Sequence, residues 1–565
     1  MKKTQLLTIV AAFLLLITIR VSAQVAVTSD GSLPDNSAMF DVKSTTKGML
    51  IPRMTLAQRN AIATPAAGLI VFQTNNTPGF YFNSGTSGAP IWMQVGNSSG
   101  WGITGNSGTT TGVNFIGTTD NVPITFRVNN QLAGKIGSSN IALGKNAMLL
   151  NTTGFSNVAL GSGALFTNAE RPNMVAIGDS ALYSNTWGAL NTAVGSKSML
   201  SNTEGWYNTA TGYHSLMSNT FGSANSAFGE SALLLNTTGI HNTATGTSAL
   251  RDNSTGNENT GTGVHALHSN TVGGNNTATG SYSLATNDNG YWNTASGHKA
   301  MELNVSGDRN TANGAEALHN NATGYENTAV GFDAMYNNSA GYGNTAYGTE
   351  AMMGNQTGDF NSAHGMDALF NNLTGNSNTA CGYKALYTNS TGSKNIAIGT
   401  FAGYYETGSN KLYIDNLSRG SISNAMSLGL IYGEFNADPA FQKLIINANV
   451  GIGTVNPTHK LSVNGSIRAK EVVVNTGWSD FVFDDDYNLM PLKKLETYLQ
   501  DHKHLPDIPD AAEVEKNGVS LGEMDSKLLQ KIEELSLYVI ELNKKVDNLQ
   551  SENLTLKKQI YKVAK

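Results

Sequence analysis

The sequence predicts a mainly β fold, a repetitive parallel β-roll or β-helix of 17-residue coils, with a C-terminal helical coiled coil. Glycine recurs every 17 residues from Gly144 to Gly399, at 16 positions without insertion or deletion. Charged residues make up only 13% of the chain, and Gly, Asn and Thr are abundant. A heptad of apolar residues occupies the C-terminal end. A fixed repeat period and a sustained heptad are the signatures of solenoids and coiled coils.

The repeat reads N-T-A-x-G-x-x-A-L-x-x-N-x-T-G-x-x. Asn stands four residues before each Gly except at Met174, Ala stands two before except at Gly261, and Asn stands seven after, from Asn151 to Asn389. Strand alternation places Ala inward and Thr outward. The recurrent Gly suits a bend with positive φ. Stacked coils align each Asn column into a ladder whose amides can hydrogen-bond along the stack.

The core of one coil is small, with one Leu and two or three Ala. Burial at about 25 cal/mol per Å² then offsets little of the entropy lost when 17 residues are ordered. We therefore expect the roll to share its core with other chains and to form a homotrimer.

The N-terminus has the pattern of a secretory signal. Lys2 and Lys3 precede an apolar run at 6–19, and a small-residue cleavage site ends at Ala23. We expect an exported protein without a transmembrane span, at the cell surface, in the outer membrane or extracellular. The predicted organisation is a signal peptide at 1–23, a small β-rich module at 24–100, a connector at 101–139, the β-roll at 140–403, a β-rich shaft or neck at 404–475, a chaperone-like α/β segment at 476–520 and the coiled coil at 521–565.

Short apolar runs around turn residues predict the strands of the flanking segments. Residues 68–82 read as a hairpin and 91–95 as a third strand. Further strands are predicted at 411–414, 444–446 and 460–463. Pro491 suits the first turn of a helix that continues to about His502.

The heptad predicts the oligomerisation residues. They alternate between a and d positions and are Ile532, Leu535, Val539, Leu542, Val546, Leu549, Asn553, Leu556 and Ile560. β-Branched residues at a, Leu at d and a single buried Asn favour two strands.

Two resemblances accompany these patterns. The stretches at 140–144, 175–181 and 395–399 resemble the head repeats of trimeric autotransporter adhesins, which implies a trimeric β-roll and three strands in the coiled coil. The C-terminal end resembles the chaperone-type domains of phage tail fibres and endosialidases. Its self-cleaving members carry Ser-Asp followed shortly by Lys. Here Ser479-Asp480 lacks that Lys, so the resemblance implies assembly rather than cleavage.

No motif for catalysis is present, so we expect no enzyme, cofactor or metal site. The chain has no phosphate-binding loop, HExxH or CxxC. Its single cysteine, Cys381, is expected to be a small buried side chain of the repeat. A net charge of −6 argues against nucleic-acid binding.

An aromatic column eleven residues after the repeat Gly contains the candidate ligand-binding residues Trp206, Tyr291, Tyr325 and Tyr342. Exposed rings there could stack on sugars, whereas the alternative is packing at the turn or between subunits. The most favoured function is an exported fibrous adhesin that displays residues for multivalent binding to a cell-surface glycan or protein. The alternatives are a structural component of a phage-tail-like or matrix assembly, and an ice-binding solenoid that uses the Thr column.

Overall fold

The computed structural model describes residues 24–96, 109–111, 113 and 115–564. The predicted signal peptide lies outside the described residues. The chain forms two compact units. The first comprises the chain up to Val128 together with the short segment Lys135–Ser138. The second comprises Asn129–Gly134 and the chain from Ser139 onward.

The first unit contains a parallel pair of strands, β1 Val25–Thr28 and β2 Phe40–Lys43. It also contains a four-stranded sheet in the order β3 Arg53–Met54, β4 Ile70–Gln73, β5 Gly79–Asn83 and β6 Trp92–Gln94. The β4–β5 hairpin and the third strand, β6, lie where the sequence predicts them. Arg59 packs its guanidinium over Tyr81 and Trp92, at 4.4 and 5.5 Å from the ring centroids. The elements are β1 Val25–Thr28, β2 Phe40–Lys43, β3 Arg53–Met54, α1 Leu56–Asn60, β4 Ile70–Gln73, β5 Gly79–Asn83, β6 Trp92–Gln94 and β7 Ile124–Val128.

A parallel β-roll dominates the second unit, as the repeat predicts. Each strand pairs in parallel with the strand 17 residues later, so that Ala faces Ala and Thr faces Thr. After β8 Gln131–Ile136, the strands are β9 Asn140–Leu143, β10 Asn157–Leu160, β11 Val175–Ile177, β12 Thr192–Val194, β13 Thr209–Thr211, β14 Ser226–Phe228, β15 Thr243–Thr245, β16 Thr260–Thr262, β17 Thr277–Thr279, β18 Thr294–Ser296, β19 Thr311–Asn313, β20 Thr328–Val330, β21 Thr345–Tyr347, β22 Ser362–His364, β23 Thr379–Cys381 and β24 Ile396–Ile398.

Each coil turns at the recurrent glycine because only glycine fits there. Gly263, for example, has φ +132°, and a Cβ on it would lie 2.5 Å from the carbonyl oxygen of Gly280 in the next coil. The glycine column therefore lets successive coils approach closely. Four residues later, the core Leu or Met also has positive φ, as at Leu267 with +53°. This backbone directs that side chain into the coil interior, where Leu267 is fully buried.

Two asparagine ladders complete the interior. In the first, Asn202 Nδ2 donates to Asn185 Oδ1 at 2.7 Å and to the carbonyl oxygen of Gly205 at 3.2 Å. In the second, the backbone N–H of Asn208 donates to Asn191 Oδ1 at 2.8 Å. All four of these asparagines are fully buried. The predicted ladders are therefore confirmed, and they join each coil to the next.

The expectation that the roll shares its core with other chains was wrong. The Ala, Leu or Met and Asn side chains of the internal coils are almost all fully buried within a single chain. Apolar area alone does not account for the stability of a coil. Satisfied amides fill the remaining interior, and each of their hydrogen bonds contributes about 1 kcal/mol net.

The expectation that Cys381 is buried was also wrong, because its side chain is exposed. It follows the fully buried Ala380 in β23. Alternation along the strand therefore places Cys381 on the outer face.

The roll ends in a short cap. β25 Lys411–Ile414 continues the parallel stack. Two further strands, β26 Ile431–Glu434 and β27 Lys443–Ile446, add to it in antiparallel fashion. Tyr413 and Tyr432 replace the small residues of the repeat core, and both are buried. The elements are β25 Lys411–Ile414, α2 Ile422–Leu428, β26 Ile431–Glu434, a 3-10 helix at Pro439–Phe441, β27 Lys443–Ile446, β28 Val450–Ile452, β29 Leu461–Val463, α3 Leu492–His502, α4 Ala511–Asn517 and α5 Leu521–Val563.

Two glycines in one coil provide a matched test of the coil geometry. We expect Gly263→Ala to destabilise the roll by about 3 kcal/mol or more, because the new Cβ meets backbone at positive φ. Gly261 occupies the alanine column, and its Cβ would meet the Ala266 carbonyl oxygen at 3.2 Å and Leu250 at 3.4 Å. Gly261→Ala should therefore be neutral or stabilising by about 0.5 kcal/mol. Thermal unfolding of the two variants would contradict this account if both had the same effect.

The asparagine ladder gives a second test. Asn270 donates to Asn253 Oδ1 and to the Gly273 carbonyl oxygen, and it accepts from Asn287. Asn270→Ala should cost about 3 kcal/mol of unfolding free energy, because buried partners lose hydrogen bonds. The control Thr255→Ala changes an exposed side chain of the preceding coil. Equal denaturant midpoints for the two variants would argue against the ladder.

Candidate oligomerisation and binding surfaces

A strap formed by residues 476–490 lies along the first half of α5. Thr476 and Ser479 donate to the carbonyl oxygens of Gly522 and Ser526, at 3.4 and 2.8 Å. Farther along, Tyr538 Oη donates to the carbonyl oxygen of Met490 at 2.6 Å. The sequence separation of each pair stays between 46 and 48 residues. The strap therefore follows the helix in a constant register.

Polar side chains reinforce the strap at its centre. Tyr487 hydrogen-bonds to Glu534 and accepts from Gln530 Nε2 at 3.2 Å. Lys531 Nζ lies 2.9 Å from Glu534 and 3.2 Å from Asp507. Burial, and next the hydrogen bond to Glu534, raise the pKa of Tyr487. The tyrosine thus remains a neutral donor to the carboxylate near neutral pH.

The strap leaves the predicted heptad seam of α5 uncovered. It contacts Gly522, Ser526 and Tyr538, none of which is a seam position. At 3.6 residues per turn, each step of four residues drifts about 40° around the helix, so the contacts run from one side of the helix to Tyr538, beside the seam. In the single chain the apolar seam residues are exposed, and they are Ile532, Leu535, Val539, Leu542, Val546, Leu549, Leu556 and Ile560. The predicted position Asn553 is also exposed. An apolar stripe of this length is typical of a helix that packs against partner helices.

The four predicted ligand-binding aromatics do not form one site. Tyr325 and Tyr342 stack at a centroid distance of 4.7 Å, and Phe360 packs edge-on against Tyr342 at 4.9 Å. Tyr291 Oη donates to the Val272 carbonyl oxygen at 3.2 Å. These three rings pack against neighbouring coils, which agrees with the alternative reading of turn packing.

Trp206 is distinguished by unstacked, exposed rings in the two adjoining coils. It lies on the outer edge of a turn beside Tyr207, with the two ring centroids 6.2 Å apart and the planes tilted by 44°. Trp187 lies one coil before this pair, and Phe221 lies one coil after it. All four rings are exposed. Sequence reasoning missed Trp187 and Phe221 because they stand nine residues after the repeat Gly, in a column that was not compared with the column of Trp206.

A ladder of carboxylates crosses four successive coils two residues after the repeat Gly. Its members are Glu316, Asp333, Glu350 and Asp367, with Lys384 next in the column. Burial, followed by the neighbouring Glu316, raises the pKa of Asp333. Burial, followed by Asp367, raises the pKa of Glu350. Like charges at coil spacing therefore disfavour full ionisation of the ladder.

The Thr column forms a flat hydroxyl face over a limited length. From β15 to β18 every outward strand position is Thr or Ser. Phe228 precedes this stretch and Asn313 follows it. The array is thus four coils long in a roll of 16, and the shortness of the array disfavours the ice-binding alternative.

The comparisons with known proteins concern the first unit. Residues 28–112 match a family model described as a phage tail like trimerisation region. This match covers far less than half of the chain. No curated protein and no solved structure matches the chain. Together with the parallel roll, the match supports a fibrous structural protein that carries a trimerisation region.

The described residues also lack two kinds of feature. In that part of the chain, no helix combines the length and the apolar character needed to cross a bilayer. The same residues contain no cluster of three or more His, Cys, Asp or Glu side chains arranged to hold a metal ion.

The carboxylate ladder predicts a pH-dependent difference between variants. Because folding raises the pKa of Glu350 above its ordinary 4.5, the folded chain binds this proton more tightly than the unfolded chain. The contribution of Glu350 to stability is therefore fully present below pH 4.5 and falls as the pH rises through the raised value. Glu350→Gln should stabilise the roll at pH 7 and have little effect at pH 4. Thermal unfolding at both pH values, with Glu230→Gln as the control outside the ladder, tests this. A stability difference for Glu350→Gln that does not change with pH would contradict it.

Proposed function

We propose that this chain is an exported homotrimeric fibre that acts at the cell surface as an adhesin, by binding rather than by catalysis. In this proposal, the first unit and the α5 seam hold three chains together. The roll, which lies between these two parts along the chain, is the rigid spacer. Its outer edge carries the binding residues.

The observation that carries the proposal is the exposed apolar seam of α5. The intrachain contacts of the strap fall on other positions of the helix, so the seam remains available for other copies. The match to a trimerisation region at residues 28–112 supports three copies rather than two. The roll closes its own core, so it gives no support for the number of chains.

The rigidity of the spacer follows from its hydrogen bonds. Asparagine ladders and strand pairs join every coil to its neighbours, and the core Ala and Leu columns are fully buried. Each turn of the roll is therefore held at a fixed distance from its neighbours. Neighbouring exposed rings such as Trp187 and Tyr207 favour an adhesin over a purely structural component, because contiguous exposed apolar groups mark interaction sites.

Export is the part of the proposal that rests on sequence alone. The signal pattern at 1–23 supports passage out of the cytoplasm. Surface display is tested by protease accessibility and antibody labelling of intact cells. Labelling that requires cell lysis would contradict it.

Two leucines of α5 give a matched test of the seam. Leu542 lies on the seam and Leu554 lies off it, and their side chains are similarly exposed, at 53% and 60%. Leu542→Glu should weaken assembly, because it places charges in the interface between helices. Leu554→Glu should leave assembly unchanged.

Light scattering on the full exported chain measures the outcome. The native chain and Leu554→Glu should have about three times the mass of one chain, and on dilution Leu542→Glu should begin to dissociate at a higher concentration than either. A native mass of two chains would favour the dimer reading of the heptad. A native monomer would contradict the fibre model.

A further inference from the structure

We propose that the outer edge of the third to fifth coils is a binding site for a neutral glycan chain. We call this edge the aromatic strip, and its residues are Trp187, Trp206, Tyr207 and Phe221. The inference rests on the proposed function and deepens it by naming a ligand class and a site.

The strip presents rings whose faces are not covered by one another. Trp187, Tyr207 and Phe221 are exposed to 59%, 62% and 54%. In the described coils, the tilted pair Trp206–Tyr207 is the one contact between rings of the strip. Elsewhere on the roll, rings of one column stack at coil spacing, as Tyr387 and Tyr404 do at 5.0 Å and 3°. Stacking covers ring faces and leaves edges to solvent, so the strip is better suited to ligand stacking.

The backbone beneath the strip is rigid. The three successive N–H groups of Thr203, Glu204 and Gly205 converge on the carbonyl oxygen of Thr220, at 3.1, 2.9 and 3.2 Å. The N–H of Trp206 donates to Ser223 Oγ at 3.0 Å. Thr186, Trp187 and Gly188 repeat the convergence on Thr203. The rings therefore sit on pre-organised turns, which lowers the entropy cost of binding.

Polar groups accompany the rings. Glu204 stands between Trp187 and Phe221 in the same column of adjacent coils, and its side chain is exposed. The Arg171 guanidinium lies over one face of Trp187, 4.3 Å from the ring centroid. Glu170, also exposed, stands one coil before Trp187 in the same column, so acidic groups slightly outnumber the one basic group. A pyranose fits this chemistry, because its C–H face packs on the electron-rich face of an aromatic ring while its hydroxyls can bond to the carboxylate and the guanidinium.

The dimensions of the strip favour a glycan over a protein partner. Trp187 and Phe221 are two coils apart, about 10 Å at the usual strand spacing, and the strip is only one turn wide. A specific protein interface requires about 800 Å² from each partner, far more than three turns offer. The small excess of acidic groups disfavours acidic polysaccharides and nucleic acids. Three copies in a trimer would add avidity to a weak single site.

The experiment uses the full exported chain on an array of neutral and acidic oligosaccharides, followed by calorimetry with the neutral oligosaccharide that binds best. Trp187→Ala and Trp206→Ala should each weaken that binding about ten-fold or more, as expected for the loss of a central aromatic anchor. The matched control is Trp292→Ala, which removes an exposed ring of the same turn edge outside the strip. It should bind like the native chain.

Each other outcome overturns the inference in a distinguishable way. Binding to acidic sugars alone, or equal loss in Trp292→Ala, would exclude the strip as the neutral-glycan site while leaving the adhesin proposal in place. Adhesion to cells without binding to any sugar would indicate a protein ligand. A native chain that neither binds sugars nor adheres to cells would overturn the strip and the adhesin proposal together. Light scattering on each variant separates loss of binding from loss of assembly.

Discussion

The close approach of successive coils at the glycine column is the constraint on which the rest of the second unit depends. A Cβ at Gly195 would lie 2.3 Å from the carbonyl oxygen of Gly212. Because the backbones can approach there, the strands pair in register and the asparagine amides reach their neighbours. Without that approach, neither ladder would form. Glycine is thus a steric requirement of the bend, and it recurs every 17 residues because each coil makes one such bend.

Hydrogen bonds of the asparagine ladders contribute an unusually large share of the stability of the roll, compared with apolar burial in its core. Ala and one Leu or Met supply little apolar area in each coil, whereas two buried asparagines supply hydrogen bonds within the coil and between coils. Buried amides are costly when unpaired and useful when paired. The roll therefore tolerates varied residues on its outer face, because the core and the ladders supply most of its stability. This separation lets the turns carry aromatic rings such as Trp187 and charged groups such as Glu350.

The segments that flank the roll differ from the roll itself in carrying surfaces for association between copies. Residues 28–112 match a trimerisation region, and α5 exposes an apolar seam, so both flanks carry surfaces suited to other copies. The roll between them closes its core alone. In the proposed fibre, association is thus confined to the ends, and the outer face of the roll stays free for binding.

The sequence by itself determined the coil length, the inward Ala and outward Thr, the asparagine ladders and the heptad, because each depends on periodicity along the chain. It could not decide whether the core of one coil is sufficient, since that depends on hydrogen bonds between side chains 17 residues apart. It also predicted a buried Cys381, and it assigned Trp206 and Tyr325 to the same set of candidate ligand-binding residues. Only the tertiary structure showed which rings stack and which stay open, because residues from different columns meet only when the coils are folded.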